Sequence, residues 1–123
     1  MTLLLVMLGA AVGAPCRWLL DRFIGSRHDS VFPWGTFTIN MLGSLLLGAV
    51  LALTTSGTIP VAYAALLGTG FCGGFTTFST FGFETVRLAE GGSQVEAWIN
   101  VGASMLVGLI AATIGWFAAS TLL

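Results

Sequence analysis

Four long apolar stretches account for most of this chain and leave few folds open to it. They cover residues 3–20, 37–53, 59–83 and 97–122. Because about 20 apolar residues cross the hydrocarbon core of a bilayer as a helix, the sequence predicts an all-α membrane protein with four transmembrane helices. Only short connections remain, so residues 1–123 are predicted to form one transmembrane domain; the connections are 21–32, 54–58 and 84–96.

The charge content supports a membrane protein and argues against a nucleic-acid partner. Charged residues make up 7% of the chain, whereas soluble domains carry about 25%. No basic patch of the kind that binds nucleic acid is present. The N-terminus lacks a basic region before its apolar run, so it is not predicted to be a signal peptide. The basic residues are all arginine: Arg17, Arg22, Arg27 and Arg87.

No pattern typical of an enzyme occurs in the sequence. Cys16 and Cys72 lie far apart in apolar surroundings and are predicted to be buried free thiols without a metal. The single histidine, His28, lies in a polar loop and is predicted to be solvated. Nucleophile elbows, zinc-binding helices and phosphate loops are absent.

Residues 70–81, GFCGGFTTFSTF, predict a break in the third membrane helix. Glycine pairs weaken a helix, and irregular backbone at membrane depth persists only where it is buried or lines a polar path. We expect the helix to stop near Phe71 and to restart near Thr77. Carbonyl oxygens freed at such a break suit a hard cation such as Na⁺, and Gly73 and Thr76 are the expected donors. The alternative is a simple packing kink at the glycine pair.

Aromatic and hydroxyl side chains after the break are candidates for an anion path. Phe78 and Phe81 are three residues apart and share one helix face. The positive edge of an aromatic ring can receive a small anion, and Ser79 and Thr80 add hydroxyl donors. The alternative is that the phenylalanines of this segment form an ordinary packing stripe.

Polar side chains also lie within the second and fourth spans. Asn40 is mid-span, with Thr36 one turn before it, and Asn100 precedes Ser104 by one turn. Such residues face the interior of a bundle, where they either join helices or line a path. Further along the face of Ser104, Gly108 and Ala112 offer no side-chain donor.

The charged residues give further expectations about a vestibule and about orientation. Glu84, at the end of the third span, is predicted to flank an aqueous vestibule or to pair with Arg87. Arg17 is the one charge within the first span and is predicted to reach the interface, to hold a structural contact or to attract anions. All four arginines belong to one side of the membrane, so the positive-inside rule predicts both termini outside.

Small residues four positions apart in every span predict close helix packing. Four helices hardly enclose a protected polar path alone, so we expect an oligomer, most simply a dimer. The pairs are Gly9 and Gly13, Ser44 and Gly48, Gly70 and Gly74, and Ser104 and Gly108.

Taken together, these motifs resemble the Fluc (CrcB) family of fluoride channels. The resemblance extends over nearly the whole chain and is strongest in GFCGGFTTFSTFGFE at 70–84, with GAPCRWLL at 13–20 and GTFTIN at 35–40. It implies a passive fluoride channel of the bacterial inner membrane, in contact with membrane lipid and built as an antiparallel, dual-topology dimer with two pores.

The resemblance also assigns roles to individual residues. A structural Na⁺, not transported, is implied at the dimer centre, held by carbonyls of Gly73 and Thr76 from both subunits. The paired phenylalanines correspond to Phe78 and Phe81, and the polar positions to Asn40 and Thr36. The first-helix arginine and the acid after the phenylalanine pair correspond to Arg17 and Glu84.

Two departures from the family pattern leave alternatives open. The polar track of the fourth helix keeps only Ser104, and the arginine bias disfavours insertion in both orientations. The chain is therefore either one half of a homodimer or an obligate subunit of a heterodimer with a related chain. The rival among membrane transport proteins is a small proton-coupled multidrug exporter, which needs a carboxylate within a span. Every acidic residue here lies at or beyond the end of a span, which argues against it.

Overall fold

The structure, a computed structural model, describes all 123 residues, and all of its regular secondary structure is helical. The helices are α1 (Thr2–Arg27), α2 (Trp34–Thr55), α3 (residues 61–75), α4 (Phe78–Glu90) and α5 (Gln94–Ser120). α3 and α4 are the two halves of the third span, Val61–Glu90, so four helical spans are long and apolar enough to cross a membrane. The prediction of an all-α, four-span protein is confirmed.

The helices extend further into the charged regions than hydropathy predicted. α1 continues past residue 20 to Arg27, and α4 continues to Glu90. Most of the predicted 84–96 connection is therefore helical, and only residues 91–93 link α4 to α5. Hydropathy reports where a helix leaves the hydrocarbon, whereas arginine and glutamate are good helix formers that continue it beyond the bilayer.

The third span is broken, and it restarts near Thr77 as predicted, but its first half ends about one turn later than predicted. α3 begins with an α-helical turn, Val61–Tyr63, then winds as a π-helix over Ala64–Cys72 and closes with Gly73–Phe75. Thr76 and Thr77 are extended, with φ/ψ of −83°/164° and −148°/123°. The expected stop near Phe71 is wrong, because the wider winding carries the helix through the glycine pair instead of ending at it.

Glycines bring the helix backbones into direct contact. Gly9 and Gly13 of α1 lie against the α3 backbone, and a Cβ at Gly70 would be 2.8 Å from Val6 O. Gly48 of α2 and Gly115 of α5 approach the opposing backbone in the same way. α1 therefore packs on α3 and α2 packs on α5. On α5 the close approach is at Gly115, not at the predicted pair of Ser104 and Gly108.

Few side chains are buried within a single chain. Only 19 of 123 residues are buried, and large apolar side chains on every helix face outward. Exposed apolar surface of this extent is what lipid requires of a membrane bundle. The two largest side chains with almost no exposed surface are Ile39 and Asn100, each 1% exposed, and Asn100 is the polar one.

Candidate ion site at the helix break

The side chain of Asn40 closes the break on one side. Asn40 Nδ2 donates to Thr77 O, and Thr77 N–H donates to Asn40 Oδ1, both at 2.9 Å. The amide of α2 thus replaces the two helical partners that an extended Thr77 has lost. Because a backbone group without a partner is costly away from water, this pairing explains how an unwound segment persists at membrane depth.

The same bonds leave backbone carbonyls of α3 without helical partners. In a continuous helix, Thr77 N–H would bond Gly73 O and Thr80 N–H would bond Thr76 O. Here Thr77 N–H donates to Asn40, and Thr80 N–H donates to Thr77 Oγ1 at 3.2 Å. The two oxygens expected to serve as cation donors are therefore released from the helix ladder, as are those of Gly74 and Phe75.

α4 begins with a cluster of hydroxyls. Thr77 is the N-cap, and its Oγ1 also donates to Thr80 Oγ1 at 3.0 Å. Ser79 Oγ lies 3.4 Å from Thr77 Oγ1 and remains exposed. An N-cap hydroxyl is a strong local start signal for a helix, so the sequence restarts α4 at a defined residue.

A groove of about 430 Å³ runs along the outer side of the break. We call it the break groove. Gly73 faces it, and a methyl group added at Gly73 would meet nothing within 4 Å. This glycine is therefore not required for packing inside the chain, unlike Gly74, whose added Cβ would be 2.9 Å from Ala10 Cα. The lining of the break groove includes Asn40, Ser44, Thr69, Gly73, Thr76 and Phe78.

The phenylalanines of the segment do not form one packing stripe. Phe71 and Phe75 stack at 5.5 Å between ring centroids, and Phe75 is buried. Phe78 and Phe81 form a second pair at 5.8 Å, but Phe78 is 79% exposed and borders the break groove. The break separates the pairs, and Phe78 is the one ring of the four that is exposed in the single chain.

Thr36 and Glu84 link α2 to α4 near the charged end. Thr36 is 4% exposed and donates its hydroxyl hydrogen to Glu84 Oε1. Glu84 and Arg87 also line a cavity of about 470 Å³ that opens between α4 and the α1–α2 connection. We call it the end cavity; whether it serves as the vestibule predicted beside Glu84 stays a prediction. Arg17 is half-buried on α1 and lines neither the end cavity nor the break groove.

Asn100 of α5 bonds to α4, and neither Asn100 nor Ser104 lines the break groove. Ser104 Oγ donates to Asn100 Oδ1 at 3.3 Å, and Asn100 Nδ2 donates to Thr85 Oγ1 at 2.8 Å. In the single chain, Ser104 is thus a hydrogen-bond partner of Asn100. Ser104 and Gly108 do not form a tight backbone contact, since a Cβ at Gly108 would be 3.6 Å from Met41 Cε.

Two residues of these networks were not among the predicted site residues. Thr77 supplies both the backbone pairing and the N-cap, and Thr85 connects α5 to α4. A threonine three residues before Thr80 was a readable N-cap signal. Nothing local marks Thr85, because its role depends on where α5 lies.

Comparison with known proteins gives the same family throughout the chain. A family profile described as "CrcB-like protein, Camphor Resistance (CrcB)" matches residues 4–116. A protein named "Fluoride-specific ion channel FluC 1" from Frankia casuarinae is 50% identical over 120 residues, covering 94% of this chain and 93% of the relative.

Two further relatives carry similar names. "Fluoride-specific ion channel FluC 1" from Streptomyces avermitilis is 50% identical over 119 residues, covering 96% of each chain. "Fluoride-specific ion channel FluC 2" from Moorella thermoacetica is 42% identical over 122 residues, covering 99% of each. With a matching profile over almost its full length and relatives at this identity, the chain belongs to the CrcB family.

Proposed function

We propose that this chain is a subunit of a fluoride-selective passive channel that exports cytoplasmic fluoride across the bacterial cell inner membrane. The observation that carries the proposal is the unwound third span, which places freed carbonyls, hydroxyls and the exposed ring of Phe78 beside one groove. The names of the related proteins also point to fluoride.

Selectivity for fluoride requires groups that replace water around a small, strongly hydrated anion. Asn40 has two amide hydrogens, and only one donates to Thr77. Ser79 and Thr80 add hydroxyls at the start of α4, next to Thr77. The ring edges of Phe78 and Phe81 are positive without binding an anion tightly. A series of weak donors allows fluoride both to enter the path and to leave it.

A passive path is sufficient to export fluoride. Fluoride crosses membranes as neutral hydrogen fluoride from acid surroundings and ionises inside the cell. The membrane potential then drives the anion out with about 2.3 kcal/mol per charge per 100 mV. No proton-coupling carboxylate or catalytic group is needed.

We propose that a second subunit covers the break groove. Ser44, Thr69 and Thr76 line it, and Thr69 and Gly73 are exposed in the single chain. Polar groups facing lipid are costly, and the open space at Gly73 leaves room for a partner backbone. An antiparallel pair of subunits, as in the family the sequence resembles, brings two breaks together.

We further propose that a Na⁺ lies between the two breaks and is structural rather than transported. Oxygen donors suit a hard cation, and the structure releases the carbonyls of Gly73 and Thr76 from the helix ladder. These residues therefore fit the ion that the sequence led us to expect. The ion would supply positive charge that holds two partly negative breaks together.

A second candidate assembly is a heterodimer with a related chain. The one-sided distribution of charge favours this assembly over a homodimer. All charged side chains lie from Arg17 to Glu96 at one end of the molecule, since Arg87 and the α1–α2 connection line the same end cavity. Neither the 56–60 connection nor the C-terminus carries a charged side chain. A chain with arginine at one end only inserts in one orientation, so its antiparallel partner would be a related chain.

The decisive experiment is fluoride efflux from liposomes that contain the purified chain alone, followed with a fluoride electrode. Fast fluoride efflux without chloride efflux supports a homodimeric channel. Efflux that appears only when a related chain is added supports the heterodimer. Absence of fluoride efflux under both conditions, with protein that is folded and inserted, contradicts the proposed function.

A further inference from the structure

The side-chain amide of Asn100 is buried but does not line the break groove, so the groove does not explain its burial. It is 1% exposed on α5, a helix of which little else is buried. Burying an amide costs free energy unless its hydrogen-bonding groups find partners. Both of its polar atoms have one: Oδ1 accepts from Ser104, and Nδ2 donates to Thr85.

The hydrogen bonds continue from Thr85 into the backbone of Phe81. Thr85 Oγ1 accepts from Asn100 at 2.8 Å and donates its own hydrogen to Phe81 O at 2.7 Å. Each hydroxyl and amide in this series therefore has a defined direction. We call Asn100, Thr85 and the Phe81 carbonyl the α4–α5 relay.

The α4–α5 relay acts on a helix whose upstream connection is unwound. α4 starts at Phe78 after two extended residues, so α3 does not transmit a fixed rotation to it. Thr85 follows Phe78 by seven residues, about two helical turns, and so lies on nearly the same face. A rotation of α4 that moves Thr85 away from Asn100 would also turn the rings of Phe78 and Phe81.

We propose that Asn100 is a positioning residue which, through Thr85, fixes the rotation of α4 and thereby the orientation of the Phe78–Phe81 pair. The inference rests on the proposed function only for the consequence that ion selectivity depends on the relay. Asn100 lines neither cavity described above. It works only through the hydroxyl of Thr85.

The test uses a pair of substitutions at Thr85 with a matched control. Thr85→Val keeps the shape and removes the hydroxyl, whereas Thr85→Ser keeps the hydroxyl. Thr113→Val is the control, because Thr113 is an exposed threonine of α5 whose hydroxyl donates only to Leu109 O of its own helix. Fluoride and chloride efflux are measured from liposomes for each variant.

We expect Thr85→Val to lower the fluoride-to-chloride rate ratio about three- to tenfold, the range for a hydrogen bond between membrane helices. Thr85→Ser should restore most of the ratio, and Thr113→Val should leave it unchanged. A loss of stability alone would lower the number of active channels and both rates together, so the ratio separates positioning from folding. Equal ratios in Thr85→Val and Thr113→Val would overturn the proposal.

A spectroscopic reading keeps the two proposals distinguishable. With 4-fluorophenylalanine at position 81, the ¹⁹F resonance should shift or broaden in Thr85→Val and not in Thr113→Val. If the wild-type chain passes no fluoride, the proposed function fails while this spectrum still decides the relay. If Thr85→Val does not fold, Asn100→Ser breaks the same bond and is read in the same way; an unchanged resonance then overturns the relay.

Discussion

Asn40 and Thr77 pair like two residues of adjacent strands, exchanging two hydrogen bonds of 2.9 Å inside a helical membrane protein. One side chain thus supplies both partners of one unwound residue. This arrangement makes Asn40 a structural part of the break as well as a candidate donor to the ion. One substitution of Asn40 can remove only the bond that its amide donates, and another can remove both the donated and the accepted bond.

Asn40→Asp keeps the acceptor for Thr77 N–H but loses the donor to Thr77 O, and Asn40→Leu loses both. Both variants leave at least one backbone group of Thr77 unpaired, which costs about 1–3 kcal/mol for a buried group, so both are expected to lower the thermal stability in detergent. Thr55→Val, at an exposed α2 position, is the control. Equal melting temperatures for Asn40→Leu and the control would show that the pair does not hold the break.

Phe78→Ile is expected to reduce fluoride efflux about fivefold, because isoleucine has no positive ring edge and the energy of an aromatic contact is about 1 kcal/mol. Phe83→Ile is the control, since Phe83 is also on α4 and 67% exposed but borders no groove described above. Rates come from the fluoride-electrode assay at matched protein content. Unchanged efflux in Phe78→Ile would remove this ring from the ion path.

Gly74 and Gly73 are adjacent but should respond differently to alanine. Gly74→Ala places a methyl group against the α1 backbone near Ala10, so we expect the chain itself to be destabilised by roughly 1–3 kcal/mol. Gly73→Ala has space in the single chain and is expected to weaken only subunit association. The measurements are thermal melting of each variant and the dimer fraction by cross-linking.

Cross-linking also tests whether a second subunit covers the break groove. A dimer fraction unchanged in Gly73→Ala would mean that the partner does not lie against this glycine. A dimer lost only in Gly74→Ala would follow from the destabilised chain, so this variant serves as the control for folding.

Replacing Na⁺ by a large organic cation during purification is expected to lower the melting temperature. A ligand at 100 times its dissociation constant stabilises the bound state by about 2.7 kcal/mol, and K⁺ is the control for ionic strength. Melting curves that coincide in Na⁺, K⁺ and the organic cation would contradict a sodium site at Gly73 and Thr76.

Cysteine labelling is expected to find a single orientation of the chain. In a background with Cys16→Ser and Cys72→Ser, Ser56→Cys should react from outside the cell and Ser30→Cys only after the membrane is opened. The reason is that all four arginines lie at the end that includes Ser30. Labelling of both cysteines from both sides would favour dual topology and a homodimer.

The position of the break illustrates how far local sequence reasoning reaches. The glycine-rich segment predicted an interruption of the third span, and the structure has one at Thr76 and Thr77. The predicted end of the first half, near Phe71, was wrong, because Gly73 and Gly74 remain helical where α1 packs on α3. A glycine permits a break, but packing against a neighbouring helix decides whether it is used.

Asn40 and Ser104 illustrate the opposite limit. Their types and depths predicted that they face the interior, but the sequence left open whether they join helices or line a path. In the structure Asn40 bonds Thr77 and Ser104 bonds Asn100. These partners are 37 and 4 residues away, and only the nearer one has a spacing readable from the helix period.

The sequence by itself determined the four spans, the presence of a break and the one-sided charge, because hydropathy, backbone propensity and charge are properties of each segment alone. The tertiary structure decided that Asn40 completes the break, that Thr36 bonds Glu84, and that Asn100 reaches Phe81 through Thr85. Such bonds depend on the distance and rotation between helices, which follow from packing across the whole chain and cannot be read from any one segment.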